Sequence, residues 1–132
     1  RPPRSTLFPY TTLFRSYIAG GPNSGVFAPA IRDARRLVVP SLCVLEVFKR
    51  ILQQRGQVAA LSAIGPMLQG RVQDLDAPLA LEAARLGAAH GLALADSVVL
   101  ATARLHGAVL WTQDADFAGL PSVRYVPRAP KS

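Results

Sequence analysis

The chain has 132 residues, half of them apolar and 17% charged, which makes one domain with enough apolar content to bury a core unaided and too much for a disordered tail. No run approaches the roughly 20 apolar residues of a membrane span, and the single cysteine, Cys43, excludes a disulfide framework or a Cys-based zinc site. The formal charge of +7 points to an anionic partner such as nucleic acid, but removing Arg1, Arg4 and Arg15 leaves 12 basic residues against 8 acidic, or +4, which a mildly basic soluble domain carries equally well.

Residues 1–16 read as a non-native N-terminal segment. Thr6-Leu7-Phe8 recurs as Thr12-Leu13-Phe14 around Pro9, without acidic residues or a period of 2 or 3.6. The segment resembles translated synthetic-adapter sequence and is set aside from the fold argument, leaving 17–132 as the domain. Arg, Pro and Thr interrupt its short apolar runs, so no signal-peptide core is read there, and a reducing, cytoplasmic setting is expected.

From Tyr17 the pattern is orderly. Gly20-Gly21-Pro22-Asn23 signals a loop, and a short helix is expected over 24–35. Leu37-Val38-Val39 is a β-branched run stopped by Pro40, a buried strand. Ser41 is placed to cap a helix running to about Arg55, with Gly56 as its stop. A second helix covers 57–69, with Gly65-Pro66 expected to bend or break it. A short strand follows over Arg71–Leu75. Helices over about 78–90 and 94–106 each end in His-Gly, a basic last turn followed by a glycine stop. Ala108–Trp111 and Val123–Val126 read as the last strands. Strands separated by helices imply a parallel sheet covered on both faces.

The inventory for chemistry is thin outside the carboxylates. His90 and His106 sit at helix ends, where capping explains them. Cys43 reads as a buried thiol. There is no Gly-x-Ser-x-Gly elbow and no Gly-Lys-Ser/Thr phosphate loop. Trp111 and Phe117 read as core aromatics rather than base-stacking platforms. Among the eight acids, Asp33, Asp74, Asp76 and Glu82 have ordinary explanations, with Arg85 a surface partner for Glu82.

Four acids remain. Glu46 lies on the helix after the first expected strand, where an ion pair with Lys49 or Arg50 is the plain alternative. Asp96 has Leu92, Ala93, Val99 and Leu100 at i±3 and i±4, none of them a cation; a helix N-cap is its plain alternative. If Asp96 instead converges with Glu46 and Asp114, Asp96→Asn leaves the metal-free protein as stable or more stable. Asp114 and Asp116 follow Leu110-Trp111-Thr112, beyond the carboxyl end of a strand, where parallel sheets bind ligands. An Asx-turn or a helix cap would also account for them. Converging carboxylates repel unless a cation lies between them, and Mg²⁺ favours such oxygen ligands.

Val38-Val39-Pro40-Ser41 leading to Glu46, then Leu94-Ala95-Asp96-Ser97-Val98-Val99-Leu100-Ala101-Thr102-Ala103, then Leu110-Trp111-Thr112-Gln113-Asp114-Ala115-Asp116-Phe117, resemble a PIN domain. The likeness is closest to the toxin ribonucleases of bacterial VapBC toxin–antitoxin pairs, and it covers about 17–127. It implies a three-layer α/β fold with a central parallel sheet flanked by helices. It also implies an endoribonuclease dependent on Mg²⁺ (or Mn²⁺). Glu46, Asp96 and Asp114 fall on the family's catalytic and metal-binding acids, Asp116 on an accessory metal acid and Thr112 on a position that orients the last carboxylate. The implied partners are RNA, a small VapB-like antitoxin and a second copy in a homodimer, with the apolar helices 41–55 and 57–69 as candidate surfaces. The family's first strand ends in an Asp, yet the first acid here is Asp33, so that ligand is missing from this chain.

Two other readings compete. A catalytically silent PIN-like module would bind protein or RNA without cutting it. A phospho-acceptor receiver domain also uses an acidic pocket, but needs an early acidic pair and a lysine after a late strand, which this sequence lacks.

Overall fold

Short β-branched runs alternate with longer segments of helical period, and the chain turns that alternation into one five-stranded sheet with helices packed on it. The computed structural model describes residues 6–7, 37–112, 115–121 and 123–125. The strands are β1 (Thr6–Leu7), β2 (Leu37–Pro40), β3 (Arg71–Gln73), β4 (Val109–Thr112) and β5 (Val123–Tyr125). The helices are α1 (Ser41–Arg55), α2 (Gln57–Gln69), α3 (Ala77–His90) and α4 (Leu94–Leu105), with a 3₁₀ turn at Ala115–Phe117. The helix expected over 24–35 lies outside the described residues.

Strand order is β3-β2-β1-β4-β5, and every neighbouring pair is parallel. A receiver-like sheet runs 2-1-3-4-5, so the topology differs from that alternative. The α1–α2 crossover leads from β2 outward to β3, whereas α3–α4 leads back across the sheet to β4. Right-handed crossovers in opposite directions lie on opposite faces, which produces the expected three layers. No described helix is long and apolar enough to cross a membrane by itself.

Two residues of the segment set aside in the sequence, Thr6 and Leu7, stand in the middle of this sheet. Thr6 and Leu7 pair with Leu37 and Val38 on one side and with Val109 and Leu110 on the other. Excluding it from the fold argument is therefore corrected for these two residues. The reason is hydrogen-bond demand: β2 and β4 each present an unpaired edge toward the other, and an extended chain between them satisfies both.

All four residues of β2 are buried, as expected for a strand covered on both faces. It passes into α1 without a loop. The cap is Pro40 (φ −61°, ψ 136°), with no side-chain hydrogen bond, rather than the expected Ser41. Proline's ring fixes the φ this junction needs, so Ser41 becomes the first helical residue. Helix α2 continues through Pro66 instead of breaking there. At its end, Gly70 lies so close to β2 that a Cβ would come within 2.7 Å of the Leu37 carbonyl oxygen.

Helix α3 has a strong start: the Asp76 carboxylate accepts from the Leu79 N–H at 3.0 Å, and Pro78 stands in the first turn. Gly91 (φ 65°) ends it in the left-handed conformation, as the His-Gly pair predicts. Helix α4 is buried from Asp96 through Ala103. Its hydroxyls are satisfied internally, Ser97 Oγ donating to Ala93 O at 2.9 Å and Thr102 Oγ1 to Val98 O at 2.7 Å.

His106 caps α4, and its Nε2 lies 2.7 Å from Gln73 Oε1 at the end of β3. Partial burial lowers its pKa from 6.5, and the Arg71 charge lowers it further. A base whose folded pKa is depressed stabilises the fold above its unfolded pKa, and that contribution is lost as pH falls below it. Melting temperature is therefore expected to drop between pH 7.5 and 5.5 (roughly one pH unit either side of 6.5), and His106→Asn to flatten that slope. An unchanged slope in the variant refutes the assignment.

Candidate active site

In a parallel sheet, ligands bind at the carboxyl edge where the strand order reverses. Here the chain moves outward from β1 to β2 and β3, then returns past β1 to β4. The crevice is thus at the carboxyl ends of β1 and β4.

Glu46 is carried by α1, which springs directly from the carboxyl end of β2. Val47 and Ile51 bury the inner face of that helix and fix its position. Glu46 is partly buried. Its Oε1 is shielded from solvent and has no hydrogen-bond partner among the described residues. Burial raises its pKa above 4.5, and the Arg50 charge one turn on partly opposes the rise. The alternative of an ion pair with Lys49 or Arg50 is not realised. Cys43, one turn earlier, is buried as expected; burial pushes its thiol pKa up, and the Glu46 charge adds to this. Such a thiol stays protonated and inert.

Asp96 stands in the first turn of α4 and is 7% exposed. The cap of this helix is Ala93, so Asp96 is not the N-cap. Its charge is favoured where it stands by the positive end of the helix dipole. The cavity beside this end of α4, about 520 Å³, is lined by Leu94, Ser97 and Val98 and by Leu42 and Leu75, which follow the carboxyl ends of β2 and β3. That shared lining sets the α4 N-terminus near the same edge of the sheet as the start of α1.

Thr112 closes β4 and is fully buried. The 3₁₀ turn that follows is pinned by Phe117, 0% exposed, a core aromatic as expected. Asp116 is exposed on that turn. Asp114 lies outside the described residues. Among the described residues, no three His, Cys, Asp or Glu side chains gather closely enough to hold a metal ion. The three described acids of the predicted set are thus carried on elements of one sheet edge without forming a closed cage among themselves. Glu46 nevertheless suits a hard cation: its shielded oxygen is an acceptor without a donor, and a cation would supply the missing positive charge.

Trp111 is half-buried and packs against the core, as expected, and Arg124 of β5, its register partner across the strands, stacks 4.3 Å from its ring centre. The sequence reading overlooked Arg124, because only strand pairing reveals which residue stands opposite Trp111.

A family model described as PIN domain matches residues 11–122. Among solved structures, the chain is similar to a toxin–antitoxin complex from Klebsiella pneumoniae, with 23% identity, 91% of this chain and 96% of that chain covered, and a TM-score of 0.77. It is also similar to a DNA-bound VapBC from Salmonella typhimurium (15% identity, 95% and 98% covered, TM-score 0.70). A third likeness is to a sarcin–ricin-loop-cleaving VapC toxin from Mycobacterium tuberculosis (20% identity, 95% and 100% covered, TM-score 0.68). At these identities the likeness is one of fold. Among curated proteins, none matches the chain.

Proposed function

This chain belongs to the PIN-domain family, and from that premise we propose that it is the toxin nuclease of a VapBC-type toxin–antitoxin pair, a divalent-metal-dependent endoribonuclease that hydrolyses RNA phosphodiesters. The observation that carries the reading is the Oε1 of Glu46 on the helix leaving β2, shielded from solvent and without a hydrogen-bond partner among the described residues. A buried acceptor without a donor costs roughly 1–3 kcal/mol, a cost that a bound cation removes.

In this reading Glu46, Asp96 and Asp114 hold Mg²⁺ (or Mn²⁺), Asp116 orients it or serves a second ion, and Thr112 steadies the carboxylate after β4. The metal, when bound, supplies an activated water and neutralises charge on the phosphoryl group. The chain's own contribution is to carry these acids at one edge of the sheet. Basic side chains near the edge bind the RNA backbone, making affinity salt-dependent. A small antitoxin and a second copy are the proposed protein partners. Leu45, Leu52, Val58 and Leu61 on α1 and α2 are exposed and offer them apolar surface.

One observation favours a second reading. The chain has no acid before Asp33, so none directly follows β1 at the crevice. As it stands the polypeptide is then a PIN-like RNA- or protein-binding module, and a form whose first strand ends in aspartate is the nuclease. Comparing the two separates the readings: the restored form cleaves single-stranded RNA with Mg²⁺ or Mn²⁺ and stops in excess EDTA, while this chain cuts poorly. Cleavage that persists in EDTA refutes the metal-dependent mechanism.

Glu46→Gln provides an independent check. A carboxyl whose folded pKa is raised favours the fold most below its unfolded value of about 4.5, and that advantage is lost as pH rises through the folded pKa. Removing the charge should raise the metal-free melting temperature at pH 7 and change it little at pH 4. The variant should also lose any melting shift with Mn²⁺. A full Mn²⁺ shift in Glu46→Gln excludes this residue as a ligand.

A further inference from the structure

We propose that Arg124, stacked on Trp111, is a phosphate clamp that fixes single-stranded RNA at the carboxyl edge of β4 and β5. The inference deepens the nuclease reading and rests on it for the identity of the ligand as RNA.

β5 pairs with β4 in parallel, Leu110 opposite Val123, Trp111 opposite Arg124 and Thr112 opposite Tyr125. Side chains alternate along a strand, so Leu110 and Thr112 share one face and Trp111 the other. Leu110 and Thr112 are 0% exposed, whereas Trp111 is half-buried. The Trp111 face is thus the more open one at this end of the sheet, and Arg124 stands on it beside the ring.

Arg124 is exposed, yet its guanidinium is held 4.3 Å above the indole. An exposed arginine ordinarily samples many rotamers. Stacking on an indole attracts the cation to the ring face and limits that freedom. The in-plane N–H groups stay available, because stacking occupies a face and hydrogen bonds leave from the edge. Among the described residues Arg124 forms no ion pair, in contrast to Arg85, which holds Glu82 at 3.1 Å. A planar, oriented fork of donors without a carboxylate is suited to bidentate phosphate contact.

Location gives the clamp its purpose. Trp111 immediately precedes Thr112 at the carboxyl end of β4, and Asp114 and Asp116 follow within five residues of it. An acidic pocket repels the phosphates it must receive. A fixed cation beside it, on the strand that is outermost among the described residues, offsets that repulsion and sets the path of the RNA strand.

The test uses the full chain, in EDTA, with a labelled 12-nucleotide single-stranded RNA of mixed sequence. Binding is read by anisotropy and by emission from Trp111, the chain's only tryptophan. RNA is expected to change Trp111 emission. Arg124→Gln is expected to weaken binding about tenfold at low salt, to lower the slope of log K against log salt by about 0.7, and to remove most of the emission change. Arg124→Lys keeps the charge without the planar stack and should fall between the two. Melting curves of the RNA-free variants establish that they are folded. Binding by Arg124→Gln within twofold of the parent with an unchanged salt slope overturns the clamp, as does a parent chain that binds no RNA. The two readings fail separately. Arg124-dependent binding without cleavage in the restored form leaves the clamp and removes the nuclease, whereas cleavage with Arg124-independent binding does the reverse.

Discussion

Asp96→Asn is expected to lower metal-dependent RNA cleavage by at least about a hundredfold in the form whose first strand ends in aspartate, since even outer-shell partners of a metal typically contribute 10–100-fold. Asn keeps the size and shape of the residue, so the surrounding buried surface of α4 is undisturbed. What is lost is the carboxylate charge. Losing an anion from the first turn of α4 forfeits roughly 0.3–1 kcal/mol of dipole stabilisation. Metal-free stability should therefore change by no more than about 1 kcal/mol. The melting shift produced by Mn²⁺ should disappear, because that shift measures binding to the folded state. Melts with and without Mn²⁺, beside a cleavage assay, decide the matter. A variant that melts much lower without metal yet still cleaves would make Asp96 a structural residue only.

Gly70→Ala is expected to destabilise the protein by about 3 kcal/mol, the upper part of the range for overpacking a rigid core. The added Cβ would meet the Leu37 carbonyl oxygen at 2.7 Å and the Leu37 Cβ at 3.2 Å. The oxygen belongs to the backbone of β2, a fully buried strand held by parallel neighbours on both sides, so it cannot swing away as a flexible side-chain tip would. A control at Gly65, where an added Cβ meets nothing within 4 Å, should be neutral or stabilising. Chemical denaturation of the two variants gives the comparison. Equal stability would mean that β2 and α2 part more readily than their packing implies.

The legible parts of the fold were those whose signal is local. Leu37–Val39 announced a doubly covered strand by composition alone, and β2 is buried throughout. The His-Gly pairs at 90–91 and 106–107 stopped α3 and α4, with Gly91 and Gly107 both at positive φ. Asp76 and Glu82 found the ordinary partners expected of them. Illegible parts depended on what stands beside a residue in space. Thr6–Leu7 carries no strand pattern, and its role comes from two neighbours that each need a partner. Ser41 had the chemistry of a cap, but proline geometry moved the helix start by one position. Trp111 packs against the core as read, but its Arg124 partner was not legible, because hydropathy ignores the strand alongside. For the acids, spacing indicated which elements carry Glu46, Asp96 and Asp116. How closely a carboxylate approaches its neighbours depends on helix tilt and turn shape, and no local pattern encodes either.

The sheet is two leaves, β3 with β2 and β4 with β5, with Thr6 and Leu7 of β1 at the seam between them. Helix α4 packs against both β2 and β4 and so lies across that seam like a splint. Its burial from Asp96 to Ala103 is what resists shear between the leaves. The element that carries Asp96 is therefore also the one that keeps the two leaves in alignment. Fraying of α4 would separate the Glu46 carboxylate of α1 from the turn after β4 before either leaf itself came apart, so the working edge of the molecule loses its geometry at a lower free energy than the whole fold.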